Sequence, residues 1–304
     1  MDTNLLRDML LGKYQVRKTE KQKSAFIDWV KEYAQEIGMP VTVEESHMFV
    51  RSRNIVFGDV DRARVILTAH YDTCARMFLP NFSTPGNLPL FIVEQVFLTL
   101  LIAFGGWIAG WGAGMLLGDA VHPFVRGLVW LLAGTLGSAL VLYLMLAGPA
   151  NPHTANDNTS GVLTILAAMQ RLKERPGVAF VLFDNEEKGL FGSLAFIKSH
   201  GQAARRFLLN FDCVGDGGTL LFTGMKGGMR MPQAKRLMAA MEEIAPEYGM
   251  KTVSGEFPKW IYPSDQMLFP RGTAFAALKG RKVCIWIGFI RSEIRCWRYA
   301  TLSV

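Results

Sequence analysis

Four short motifs carry side chains that could do chemistry together. His70-Tyr71-Asp72 follows the apolar run ARVILTA. Asp157-Asn158-Thr159-Ser160-Gly161 opens a helical stretch. Glu186-Glu187-Lys188-Gly189-Leu190-Phe191-Gly192 follows VAFVLFD, and Asp212 stands in NFDCVGDG. Singly each is weak, because a lone His-x-Asp is usually a surface pair and adjacent glutamates usually face water. Together, one histidine and three carboxylates at successive element ends form a hard-to-borderline donor set suited to Zn²⁺ or a similar divalent ion. The neighbouring glutamates divide the work, one carboxylate binding metal while the other, unbound, takes a proton from water.

Other candidates are weaker. His153 stands in the loop-like PHTAN, and His47, His122 and His200 have no partners in the motifs. Ser160 lacks a Gly-x-Ser-x-Gly elbow, so Thr159 and Ser160 read as residues capping a helix start. Cys74, Cys213, Cys284 and Cys296 have neither metal spacing nor disulfide density, which fits a reducing compartment.

The elements that must position these residues alternate strand and helix. Lys21–Gly38 has Phe26, Trp29, Val30 and Tyr33 at helical spacing and a glycine stop. Asn54–Phe57, a Gly-Asp turn and Ala63–Ala69 read as a hairpin leading into a buried strand. Thr159–Leu172 and Pro232–Ile244 read as helices, and Val178–Phe183, Phe207–Phe211 and Ala274–Leu278 as buried strands. The pattern predicts an α/β fold, a mostly parallel mixed sheet flanked by helices. Sites in such sheets gather at the carboxyl ends of the strands, where the four motifs lie.

This pattern is interrupted. Val96–Leu117 and Gly127–Gly148 are each 22 residues without a charge, joined by Gly118–Arg126. At ~1.5 Å per residue each reaches about 33 Å as a helix, enough for a hydrocarbon core of ~30 Å. The expectation is a transmembrane helical hairpin over 88–148, inserted into one discontinuous α/β domain formed by 1–87 and 149–304. Gly106, Gly110, Gly114 and Gly118 fall on one helical face, where small residues let helices approach closely in lipid. The lipid bilayer is thus an expected partner, and a second copy packing on this glycine face another. Arg62, Arg64 and Arg76 precede the hairpin, Arg171, Lys173 and Arg175 follow it, and the connector holds only Arg126 beside Asp119. Because basic residues collect on the cytoplasmic side, the catalytic domain is expected there.

With 304 residues, 50% hydrophobic and 19% charged, the chain can bury a full core and is not disordered. The formal net charge of +7 is concentrated in residues 279–304, which hold six basic groups and one acid. That is a tail and not a basic face, so no nucleic-acid partner is expected. The N-terminal apolar run is short and broken by charge, unlike a signal peptide.

The motifs HYD, DNTSG, EEKGLFGS and NFDCVGDG make the sequence resemble the co-catalytic zinc aminopeptidases of the aminopeptidase Y and bacterial leucyl aminopeptidase type, a family that also includes glutaminyl cyclases and non-catalytic receptors. The resemblance covers about residues 20–87 and 149–280. It implies a metal-dependent aminopeptidase acting on peptides with two zinc ions. Asp157 would bridge them, His70 and Asp212 would complete one, and Glu187 would bind the other. Glu186 would be the general base, and Asp72 would hold the far nitrogen of His70. A carboxylate shared by ions ~3.5–4 Å apart holds a water whose pKa the metals lower toward neutrality. Ser264-Asp265 resembles the family's Ser-Asp-His, with Gln266 in place of the histidine. Two rivals share the fold: a non-catalytic membrane protein, and a glutaminyl-cyclase-like aminoacyl transferase using one zinc.

One departure stands out. The family closes its second metal site with a C-terminal histidine in a segment resembling Ile-His-Thr/Ser-x-x-Asp-Thr, but no histidine follows His200 here. The tail GFIRSEIRCWRYATLSV has no helix or strand period. Read in the alternative frame from Gly288, its codons can give Leu-His-Ser-Gln-Arg-Asp-Thr-Val-Leu. We therefore expect an aberrant, frameshifted or truncated tail over 279–304 and impaired activity, with Gln266 or water in the histidine's place in any active form.

Overall fold

The computed structural model describes residues 2–76, 81–118, 120–279 and 285–287. The chain divides into two compact units, Met1–Asn87 with Ala150–Val304, and Leu88–Pro149. In chain order the elements are α1 (Thr3–Gly12), α2 (Glu20–Glu36), β1 (Val41–His47), β2 (Arg51–Phe57), β3 (Val65–His70) and β4 (Asn81–Ser83). Then come α3 (Leu88–Leu117), α4 (Pro123–Ala147), α5 (Gly161–Leu172), β5 (Val178–Phe183), α6 (Phe191–Ser199), β6 (Phe207–Phe211) and β7 (Thr219–Gly224). The last are α7 (Lys226–Met229), α8 (Pro232–Ile244), β8 (Lys251–Glu256), β9 (Gly272–Leu278) and β10 (Ile285–Ile287), the last pairing with β4.

The first unit is built on an eight-stranded mixed sheet of order β1-β2-β5-β3-β6-β9-β7-β8. Strands β5, β3, β6 and β9 run parallel at its centre. Their residues are buried on both faces, as parallel strands covered by helices must be. Alternate side chains part to two cores. Leu67, Phe180, Leu182, Phe207 and Leu209 pack with Phe26, Val30, Ile165 and Leu166 of α2 and α5. Ile66, Ala179, Val181 and Leu208 pack with Phe196 of α6 and with Phe269. Helix α2 is fixed at its start by a reciprocal capping box between Thr19 and Gln22. The register sets His70 opposite Phe183 and Thr68 opposite Asn210. The residues after β3, β5 and β6 therefore leave the sheet along one edge, and all four motifs meet there.

The expected hairpin through the Gly58-Asp59 turn does not form. Strand β2 pairs with β1 and β5, and β3 with β5 and β6. The wholly apolar β5 inserts between them, because it is the strand that must be covered on both edges. Strand β1, with its charged and half-exposed side chains, is the true hairpin partner.

In the second unit α3 and α4 are joined through Gly118–His122, a shorter link than expected because α4 begins at Pro123. Both helices are long and apolar enough to cross a membrane, with mean hydropathy 2.0 over their most apolar stretches. Those stretches are 0% and 6% buried, and Leu116, Phe124 and Leu136 are 91%, 74% and 70% exposed, so this is not the interior of a soluble core. A Cβ on Gly106 would lie 2.1 Å from Ser138 Oγ and 2.6 Å from the Gly134 carbonyl. Gly106 and Gly110 are thus covered inside the hairpin and are not available to a second copy, while Gly118 lies beyond the end of α3.

Candidate metal centre

His70 is the last residue of β3 and is buried, with its ring aimed at the motif carboxylates. Its Nε2 lies 3.2 Å from Asp157 Oδ1 and 3.5 Å from Asp212 Oδ1. Its Nδ1 hydrogen-bonds the Asp72 backbone carbonyl at 3.1 Å, with the Asp72 carboxylate farther off at 3.5 Å. The partner of the far ring nitrogen is therefore first the main chain of Asp72. The Asp72 carboxylate instead accepts the backbone N–H groups of Glu186 and Glu187.

Three donor groups converge, each with its ligand atoms within 4.8 Å of one another: His70, Asp157 and Asp212; Cys74, Asp157 and Glu187; and His70, Glu186 and Glu187. Asp157 belongs to two of them. All six residues of the expected site are brought into this one cleft. The spacing of the cysteines gave no sign of Cys74, which stands two residues after Asp72 and so lies near the end of β3.

The donors fit a divalent cation. Asp72, Asp157, Glu186, Glu187 and Asp212 crowd around one imidazole. Glu187 Oε1 and Asp212 Oδ1 are closed off from solvent with no hydrogen-bond partner, a costly state unless something positive is shared between them. Burial pushes the carboxyls of Glu187 and Asp157 up, Glu187 strongly, with the neighbouring carboxylates adding to the rise. Burial also drives Glu186 well above the usual carboxylate range, against the pull of His70. Burial likewise raises the Cys74 thiol, helped by Glu187 and Asp157. Burial would lower His70, but the surrounding carboxylates, Glu186 first, hold it well above its ordinary value.

A shell of buried polar residues holds the donors. Asn158 ties three motifs: its Nδ2 donates to the Phe211 carbonyl at 2.9 Å and the His70 carbonyl at 3.4 Å, and its Oδ1 accepts from Gly161 N at 3.0 Å and Cys213 N at 3.3 Å. It is therefore Asn158 that caps α5. Ser160 Oγ bonds the Asn156 carbonyl and Val214 N, and Thr159 Oγ1 accepts from Arg17, so the expected capping by Thr159 and Ser160 is not found. A side chain on Gly161 would meet the Phe211 carbonyl at 2.2 Å, which explains the glycine. Asn185 and Cys213, which adjoin Glu186 and Asp212, both have φ of +54°, a backbone state that bulky residues seldom hold without surrounding support.

Two further contributors, Arg17 and Lys23, lay outside the sequence reading, and Asp265 was read there only as part of the Ser264-Asp265 segment. Buried Arg17 donates to the Tyr71 and Tyr14 carbonyls and to Thr159 Oγ1. Buried Lys23 pairs with Asp184 and bonds Asn185. Asp265 accepts from Ser193 Oγ at 2.6 Å, and burial lifts its carboxyl to about 7. Gln266 is spent elsewhere, donating to the Tyr262 carbonyl and accepting from Asn210, so it does not stand in for a metal-binding histidine. His47, His122 and His153 are exposed, and none of them belongs to the donor groups. The tail over 280–284 and 288–304 lies outside the described residues.

Residues 141–274 match the family model described as Peptidase family M28. No curated protein matches the chain. Among solved structures it is similar to the Legionella pneumophila LapA aminopeptidase (12% identity over 91% of this chain and 60% of that one, TM-score 0.51). It is also similar to the Porphyromonas gingivalis glutaminyl cyclase (16%, 92% and 85%, TM-score 0.52). A third is a leucine aminopeptidase precursor from Bacteroides thetaiotaomicron (13%, 91% and 84%, TM-score 0.52). At these identities the likeness is one of fold, and the chain spans 60% of the Legionella protein's length. The matched segment carries Asp157, Glu186, Glu187 and Asp212, so the similarity to peptidase family M28 includes four of the six expected site residues.

Proposed function

We propose that this chain is a membrane-anchored metallo-aminopeptidase that removes N-terminal residues from peptides. The observation that carries the reading is Asp157, whose carboxylate is shared by the His70–Asp212 and Glu187 donor groups while Glu186 stands beside them. His70, Asp157 and Asp212 would hold one zinc ion, and Asp157 and Glu187 a second. Bound there, the ions would supply Lewis acidity and lower the pKa of a water molecule. Glu186, half-buried and with its carboxyl raised, accepts a proton from water and returns it to the leaving amine. Asp72 sets the height of Glu186 through its main chain, and Asn158 holds the ends of β3 and β6 together around Asp157.

The exposed apolar surfaces of α3 and α4 support insertion of the hairpin into a bilayer, since so much apolar surface is not left in water. The test uses the whole chain in detergent with zinc and aminoacyl anilides. Turnover should depend on zinc, and E186Q should lose roughly 10²–10⁴-fold in kcat with metal content unchanged. A cyclase on this fold would instead release ammonia from N-terminal glutaminyl peptides without hydrolysis.

A further inference from the structure

We propose that Cys74 is a metal ligand in this chain, forming with Asp157 and Glu187 the second metal position. The inference rests on the metallopeptidase reading above and deepens it.

Three observations carry it. Cys74 Sγ, an Asp157 carboxylate oxygen and a Glu187 carboxylate oxygen lie within 4.8 Å of one another, a group that shares Asp157 with the His70–Asp157–Asp212 group but includes neither His70 nor Asp212. Glu187 Oε1 is sealed from solvent and makes no hydrogen bond, a state that a bound cation would relieve. Cys74 is itself buried and held from behind. Asn151 N donates to the Cys74 carbonyl at 3.2 Å, Asn151 Nδ2 donates to Sγ at 3.4 Å, and Ala75 pairs with Ala150. An amide that donates to a ligand sulfur orients it and supports its negative charge, the role that outer partners play at metal sites.

The chemistry is consistent. A thiolate with two carboxylates is a donor set that Zn²⁺ and Co²⁺ both accept. On binding, the Sγ–H bond breaks, the sulfur–metal bond forms and the proton leaves to solvent, with no change in oxidation state.

Cobalt titration of the whole chain in detergent tests this without using activity. Two equivalents should bind, and the second should bring a near-ultraviolet sulfur-to-cobalt charge-transfer band. In C74A the band should vanish and the second equivalent should bind roughly 10–100-fold more weakly or worse, the scale on which even an outer partner counts. The first equivalent should be unchanged. C74S, nearly isosteric and able to accept from Asn151, guards against a folding artefact and should also lack the band. Two ions without the band, or equal binding of both by C74A and C74S, would overturn the assignment. A single bound ion and no band would overturn it too, yet leave the His70–Asp157–Asp212 position standing. A folded chain that binds no cobalt removes both readings together.

Discussion

Asp72 holds Glu186 by its main chain: Asp72 Oδ1 accepts the Glu186 N–H at 3.0 Å, while Oδ2 accepts that of Glu187 at 3.2 Å. One carboxylate therefore fixes the strand end from which both glutamates project. Burial would raise this carboxyl, but His70 and Lys23 hold it down at about 2, so it remains an ionised acceptor.

Removing that acceptor should displace Glu186 without removing a metal donor. In D72N the amide nitrogen would face a backbone donor, so D72N and D72A should both lose roughly 10–100-fold in kcat. Metal content, measured on the same samples, should stay near that of the parent. A parallel loss of metal and turnover would instead make Asp72 a metal-retaining residue.

The buried pair behind this strand end gives a stability prediction. Lys23 and Asp184 are each 1% exposed, and Asp184 also accepts from Arg53 N and Asn185 N. K23M leaves a buried carboxylate without its cation, which should cost about 3–5 kcal/mol. Denaturant unfolding should show the loss, and D184N added to K23M should recover part of it. Equal stability of K23M and the parent would mean that the pair is not closed to solvent.

His200 provides a pH-dependent contribution away from the metal centre. Its Nε2 lies 2.9 Å from Glu44 of β1 and its Nδ1 3.1 Å from Asp61. Partial burial lowers its pKa, but hydrogen bonds to Glu44 and Asp61 outweigh this and raise it above 6.5. A histidine raised on folding stabilises fully below the unfolded value and loses that contribution as pH rises through the folded one. The melting temperature of the parent should exceed that of H200Q most at pH below 6.5, and the difference should shrink as the pH passes above that value. A constant difference would mean that the imidazole acts by packing on Phe196, 4.8 Å away, and not by charge.

Much of this site is legible in the sequence because its residues lie at strand ends, and parallel strands announce themselves as short apolar runs such as VAFVLF. The pairing of those runs is not legible. Nothing local tells β2 to choose β1 and β5 over the nearby β3. Strands β7 and β8 escaped notice because they are partly polar, and their pairing partners are set by the fold rather than by local pattern. Arg17, Lys23 and Cys74 escaped for the same reason, since each acts on partners outside its own motif. Gln266 shows the converse, a residue marked by position in a motif that the fold uses for an internal hydrogen-bond network.

The tail yields a prediction at the level of the gene. If residues from 288 onward represent a shifted frame, replacing them with the alternative reading that contains Leu-His-Ser-Gln-Arg-Asp-Thr-Val-Leu should raise kcat by at least ~10–100-fold, the scale of a lost metal partner. Unchanged turnover after the replacement would show that the chain as it stands has a complete site.

The hairpin carries the last prediction, its orientation. Both of its ends join the first unit, so that unit lies wholly on one side of any bilayer the helices cross. Arg62, Arg64 and Arg76 before it, with Arg171, Lys173 and Arg175 after it, outweigh Arg126 near the tip, and such a bias marks the cytoplasmic side. Some of these arginines serve the folded domain, Arg64 among them through the Pro176 carbonyl, which weakens the bias without reversing it. A single cysteine introduced as A120C into a cysteine-free variant should react in intact cells with a thiol reagent that cannot cross membranes. Reaction only after lysis would invert the orientation, and release of the protein from membranes by salt alone would show that α3 and α4 do not span one.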